Sequence, residues 1–175
     1  MNVNYANYIS AYAKQRLLHK CHILKIPVSV LVVIYKSNGE VLLIEWADRE
    51  GFWQSVTGSI DFPGEDLRQA AIREVQEETG IDVYQLNPDA LQDMQHQIEY
   101  EIYPQWRFRY EAGVIKNTEH WFSLLVPDET AVTLSPREHI AYEWLPFAAA
   151  AAKCFSPSNG QAILQLFSSK ASWDI

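Results

Sequence analysis

The chain has 175 residues, 48% of them hydrophobic, which suits one globular domain with its own core. A net charge of −8 argues against a nucleic-acid groove, which needs a basic surface. The two cysteines, Cys21 and Cys154, form neither a disulfide framework nor a zinc spacing, and the five histidines, His139 among them, read as surface or packed residues.

In chain order, residues 1–24 read as an N-terminal extension, with a short amphipathic helix over Tyr8 to His19. A single domain is expected over 25–175. The longest apolar run, Pro27 to Tyr35, is well short of the ~20 residues that span a bilayer and reads as a buried strand. No membrane contact is expected. The start of the chain lacks a basic segment followed by an apolar core, so the expected location is cytoplasmic. Val28 to Tyr35 and Val41 to Trp46 are strands joined by a hairpin turn at Ser37-Asn38-Gly39. Phe52 to Ile60 reads as a third strand. Further strands fall at Gln95 to Tyr103, Trp121 to Val126 and Ile140 to Leu145. Closing helices fall at Ala148 to Lys153 and Gln161 to Phe167. Mixed strands with helices on both sides give an α/β fold of sandwich type.

Between the third strand and the next element lies the most informative stretch. It reads Gly58-Ser-Ile-Asp-Phe-Pro-Gly-Glu65-Asp-Leu-Arg-Gln-Ala-Ala-Ile-Arg73-Glu74-Val-Gln-Glu77-Glu78-Thr-Gly80-Ile81. Nothing from Glu65 to Thr79 breaks a helix, and Gly80 stands where a left-handed C-terminal cap belongs. At about 100° per residue, Glu74, Glu77 and Glu78 share one arc with Leu67 and Ala70, beside Ala71 and Val75. The carboxylates therefore border the buried face, whereas a solvated acidic face would lie opposite it. Two carboxylates about 4 Å apart repel by about 4 kcal/mol at an effective dielectric near 20. A hard divalent cation removes that cost, and Mg²⁺ favours oxygen ligands and phosphates. The alternative is a surface helix with i,i+4 pairs such as Arg73 with Glu77.

This stretch resembles the Nudix box, G-x5-E-x7-R-E-U-x-E-E-x-G-U with U a bulky aliphatic residue, with one departure: six residues separate Gly58 from Glu65. The resemblance implies an α/β/α sandwich with a mixed β-sheet. It also implies hydrolysis of a phosphoanhydride with Mg²⁺, or Mn²⁺ in its place. On that basis Arg73, Glu74, Glu77, Glu78 and Glu138 are the catalytic set. Metal falls on Glu74, Glu78 and Glu138, and Arg73 orients a neighbouring glutamate, Glu77 by its spacing. The extra residue in Asp61-Phe-Pro-Gly-Glu65 leaves the loop's shape open.

Segments outside the box, among them Phe52-Trp-Gln-Ser-Val-Thr-Gly-Ser, Ile98-Glu-Tyr-Glu-Ile-Tyr-Pro, Asn117-Thr-Glu-His-Trp-Phe and Arg137-Glu-His-Ile-Ala-Tyr, are similar to a pterin-triphosphate branch of the family. The partner this implies is a small-molecule pterin triphosphate, with a nucleoside triphosphate as the alternative. A non-catalytic nucleotide-sensing domain is a more distant alternative. Substrate contacts are expected at Lys25, Thr57, Tyr100, Glu101, Ile102, Tyr103 and Ser156. Tyr100, Tyr103, Trp106 and Trp53 are candidate ring walls, and Glu101 is the expected acceptor for a pterin's N–H groups. Lys25, Arg107 and Arg109 are candidates for the phosphates. A basic residue that the branch carries on its second strand is replaced here near Glu45-Trp46. The sequence carries no signal for oligomeric state.

Overall fold

Seven strands and three helices are arranged as a computed structural model that describes residues 24–170. The helix expected at Tyr8 to His19, and Cys21, lie outside the described residues. The strands are β1 (Val28–Lys36), β2 (Glu40–Trp46), β3 (Trp53–Gln54), β4 (Val56–Ser59), β5 (Leu91–Glu101), β6 (Lys116–Val126) and β7 (His139–Pro146). The helices are α1 (Leu67–Thr79), α2 (Phe147–Lys153) and α3 (Pro157–Lys170). Among the described residues, no helix is long and apolar enough to cross a membrane.

β1 is the spine of the sheet because both of its faces are buried. Val30, Val32 and Ile34 join one apolar cluster with Ala70, Ala71 and Val75 of α1. Leu31, Val33 and Tyr35 alternate into a second cluster with Ala162, Ile163 and Leu166 of α3. The main path of the sheet runs β3-β2-β1-β6-β5, with β1 and β6 parallel and the other pairs antiparallel. Helices thus cover both faces of a mixed sheet, as expected.

The segment Phe52 to Ile60, expected as one strand, is two. β3 pairs with β2 (Ile44 opposite Gln54), whereas β4 pairs with β1 (Val32 opposite Val56). The change of partner falls at Ser55, whose N–H donates to Asn159 Oδ1 at 2.8 Å. β1 and β2 meet only at Tyr35 and Val41. Their separation leaves the first half of β1 to β4, and β2 takes β7 along its length. Hydrophobic patterning cannot see such a switch, because it reports which residues are buried and not which strand they pair with.

β5 begins at Leu91, four residues before the strand start expected at Gln95. Its first half is polar and exposed, and its register slips between Asp93 and Gln97, where Gln95 takes φ 51° and donates its N–H to Asp93 Oδ1 at 2.7 Å. It ends at Glu101 rather than Tyr103 because Pro104 opens a 3₁₀ turn over Pro104–Arg109.

Candidate active site

α1 forms where the sequence places it. Asp66 caps its first turn, accepting the Gln69 N–H, and Gly80 ends it with φ 70° and donates to Gln76 O. The preceding loop, one residue longer than the box pattern, makes a turn over Phe62-Pro63-Gly64-Glu65, closed by the Glu65 N–H to Phe62 O at 3.1 Å. Gly64 takes φ 83°, and proline before such a glycine suits a type II turn. Glu65 Oε2 accepts the Asp61 N–H at 2.6 Å, and Glu65 Oε1 lies 3.3 Å from Arg73 Nε.

Arg73 is the hub of this end of the site. Its Nη1 donates to Glu74 Oε1 at 2.5 Å, its Nη2 to Ser59 O at 3.1 Å, and its Nε lies 3.4 Å from Asp61 Oδ2. The i,i+4 partner expected for it, Glu77, is more distant at 3.9 Å and is half exposed. Arg73 therefore positions Glu74 and Glu65, tying the box loop to the helix, and Glu77 is peripheral to that network. Glu74 and Glu78 are buried, as their place beside the apolar stripe implies. Burial pushes Glu74 up to about 8, against the opposing pull of Arg73. Burial raises Glu78 as well, partly offset by His139 and the Thr57 N–H.

Glu78 meets Glu138 and His139 in a cluster whose potential ligand atoms all lie within 4.8 Å of one another. Glu138 is exposed at the start of β7. The Glu138 and His139 N–H groups both bond Ser135 O, and Glu138 O accepts the Ala47 N–H at 2.8 Å. His139 Nε2 is 3.5 Å from Glu78 Oε1, long for a hydrogen bond. Glu78 Oε2 and both His139 ring nitrogens are buried with no hydrogen-bond partner among the described residues. An open carboxylate oxygen beside the one acceptor nitrogen of a neutral imidazole fits a divalent cation. His139 is packed, as one of the two expected readings had it, and its burial places it against Glu78 and Glu138, a grouping that spacing along the chain did not signal. Glu74 stands apart from the cluster, held by Arg73.

β4 connects these acids to a cavity of about 450 Å³, since Thr57 and Gly58 both line it. On its other side, the Thr57 N–H faces the Glu78 carboxylate. Gly58 lies so close to Glu74 that a Cβ there would overlap its carboxylate. Every residue expected to contact substrate lines the cavity: Lys25, Thr57, Tyr100, Glu101, Ile102, Tyr103 and Ser156.

The walls differ from expectation at three points. Trp53 is buried in the core, with Lys153 Nζ 3.8 Å above its ring, and does not line the cavity. Trp46 and Phe155 do, packed against Trp106 with ring centroids 5.6 and 6.3 Å from it. Glu101 lines the rim but is mostly exposed, and its carboxylate takes Arg107 Nη2 at 2.6 Å. Arg107 itself does not line the cavity, while Lys25 and Arg109 do. Near the missing basic residue of β2, Arg49 from the following turn lies over the Trp106 and Phe52 rings, 5.3 Å from each centroid.

Two residues that sequence reasoning passed over, Asn117 and Glu119, are buried and line the cavity. Their signal was present: Asn117, Glu119 and Trp121 alternate onto one face of β6, and a tryptophan on that face marks it as buried.

Comparison with known proteins agrees with this geometry. The NUDIX domain matches residues 25–166. The dihydroneopterin triphosphate diphosphatase of Escherichia coli K12 is 48% identical over 147 residues, 83% of this chain and 95% of that protein. The Haemophilus influenzae protein of the same name is 40% identical over 136 residues, 77% of this chain and 84% of that one. The solved structure of the E. coli dihydroneopterin triphosphate pyrophosphohydrolase superposes with a TM-score of 0.74, covering 82% of this chain and 97% of that one.

Proposed function

This chain belongs to the Nudix family, and from that premise we propose that it hydrolyses 7,8-dihydroneopterin 3′-triphosphate to the monophosphate and pyrophosphate. On this reading it acts in the cytoplasm, in folate biosynthesis, and uses Mg²⁺. The observation that carries the reading is the double role of β4. One face of Thr57-Gly58 opens on an aromatic-walled cavity, and the other abuts the buried carboxylates of α1. The substrate comes from the relatives named above, at 48% and 40% identity.

The protein's contribution to the reaction follows from its groups. The cavity takes the ring against the wall formed by Trp46, Trp106 and Phe155, which directs the phosphates toward Thr57 and the box helix. Lys25 and Arg109 lie on the wall as countercharges. Arg73 fixes the loop and Glu74, so that the carboxylate set keeps its geometry through turnover. The cation would be held where Glu78, Glu138 and His139 converge, with Glu74, one turn earlier on α1 and held by Arg73, as the further carboxylate of the set. When bound it would supply charge neutralisation at the phosphates and make the attacking water more acidic. Glu138, the exposed member, accepts that water's proton on a carboxylate oxygen. The water oxygen bonds to phosphorus, the α–β phosphoanhydride bond breaks, and pyrophosphate leaves with the bridging oxygen.

A substrate panel with Mg²⁺ tests this, comparing dihydroneopterin triphosphate with dATP and GTP and reading pyrophosphate against phosphate. The expected outcome is a higher kcat/KM on the pterin, with pyrophosphate as product. A preference for a purine would replace the substrate but keep the chemistry, and release of single phosphates would refute the bond assignment.

A further inference from the structure

β6 sends two polar side chains into the cavity that the hydrolytic chemistry does not use. Asn117 and Glu119 lie two residues apart, on one face of the strand, opposite Tyr100 and Ile98 of β5. They are 1% and 3% exposed, and both line the cavity. Glu119 Oε1 accepts Trp121 Nε1 at 3.1 Å, and the Ser158 hydroxyl lies near the same carboxylate. Glu119 forms no ion pair among the described residues. A carboxylate offers about four acceptor positions, so about two stay open. Asn117 commits its amide nitrogen to Ser29 Oγ at 2.7 Å and the Tyr100 hydroxyl at 3.2 Å. Its Oδ1 is left buried with no hydrogen-bond partner among the described residues.

Open acceptors in a desolvated pocket cost free energy until donors arrive. The ligand that suits them is flat, to lie among Trp46, Trp106 and Phe155, and carries adjacent N–H groups on one edge. Parallel N–H donors to a carboxylate give a bidentate, charge-assisted pair. We propose that Glu119, assisted by Asn117, is the specificity-determining residue of the cavity and reads the 2-amino and ring N–H edge of a 2-amino-4-oxopyrimidine. That edge is shared by a pterin and guanine and is absent from adenine. The inference deepens the substrate reading above and moves ring recognition from Glu101, which is exposed and paired with Arg107, to a carboxylate inside the pocket.

The test is kinetic, on the full chain with Mg²⁺. Glu119→Gln keeps the shape but turns one acceptor into a donor that faces the ligand's donors. The ratio of kcat/KM for dihydroneopterin triphosphate over ATP, and for GTP over ATP, is expected to fall about a hundredfold or more. Calorimetry with 7,8-dihydroneopterin, which has no phosphates, is expected to show a parallel loss of affinity without added metal. Ratios within threefold of wild type would overturn the proposal. Should the variant not fold, the wild type alone decides. GTP is expected to be favoured over ITP, which lacks the 2-amino group, by at least about tenfold, and equal values would overturn the assignment. A wild type that uses GTP but ignores the pterin would remove the substrate reading while leaving the GTP-to-ITP comparison to judge Glu119.

Discussion

Gly58→Ala is the most direct probe of how the site is assembled. Gly58 pairs with Val30 across the β4–β1 ladder, and a Cβ built on it would occupy the space of the Glu74 carboxylate. Glu74 has no easy escape, because it is buried and its Oε1 is held by Arg73 at 2.5 Å. Two costs therefore add. Overpacking a well-filled interior costs about 1–3 kcal/mol, and breaking a hydrogen bond to the charged Arg73 guanidinium costs about 1.5–3 kcal/mol. A total of about 3 kcal/mol corresponds to a fall in Tm of about 6–12 °C for a domain of this size. Activity should fall as well, since the displaced carboxylate belongs to the box. Thermal denaturation by circular dichroism and pyrophosphate release would measure the two effects. Glu74→Asp in the Gly58→Ala background retracts the carboxylate by one methylene and should recover part of the Tm without restoring turnover. A Gly58→Ala protein with Tm within 1 °C of wild type and full activity would refute the close packing of β4 on Glu74.

Two further outcomes separate the acids by burial. Glu138→Gln should lower kcat while Tm stays within about 1 °C, because the side chain is exposed; unchanged kcat and metal dependence would return Glu138 to a solvated role. Glu78→Gln should lower kcat by at least about 10²-fold, and near-full turnover in that variant would remove the box helix from the chemistry. A third outcome follows from the raised carboxyl of Glu74. Its folded value, about 8, lies above its ordinary value of 4.5, so the folded state binds the extra proton between those limits. Its contribution to stability is fully present below 4.5 and is lost as pH rises through 8. The metal-free protein should therefore lose Tm between pH 5 and pH 8, and the gain in Tm on adding Mg²⁺ should grow over the same interval. A gain that is flat with pH would show that the cation does not engage these carboxylates.

The sequence was most legible where one residue type can do one job. Gly80 at a left-handed cap, the unbroken helix before it, and Glu74 and Glu78 beside Ala71 and Val75 could all be read from periodicity, and the structure has them in place. The residues that line the cavity could be placed only through likeness to a family, because Lys25, Thr57, Tyr100 and Ser156 come from four separate parts of the chain. Partner choice was the least legible feature. Arg73 has acids at Asp61, Glu65, Glu74 and Glu77, and spacing alone favoured Glu77, the most distant of the four. The loop decides otherwise, because the turn at Pro63-Gly64 swings Glu65 and Asp61 back over the helix.

The contrast between Glu101 and Glu119 shows where reading by type fails. Both are glutamates on strands beside aromatic residues, and both line the same cavity. Glu101 is the last residue of β5, where the strand gives way to a 3₁₀ turn that brings Arg107 onto its carboxylate. In water and already paired, it has little to gain from a ligand's N–H groups. Glu119 lies within β6 between Ser29 and Ile98, and among the described residues its donors are Trp121 and the nearby Ser158 hydroxyl. Desolvation makes each unfilled acceptor there costly and makes each N–H that fills it worth more. Discrimination between flat rings of similar size therefore has to come from the buried carboxylate, since aromatic walls accept any of them.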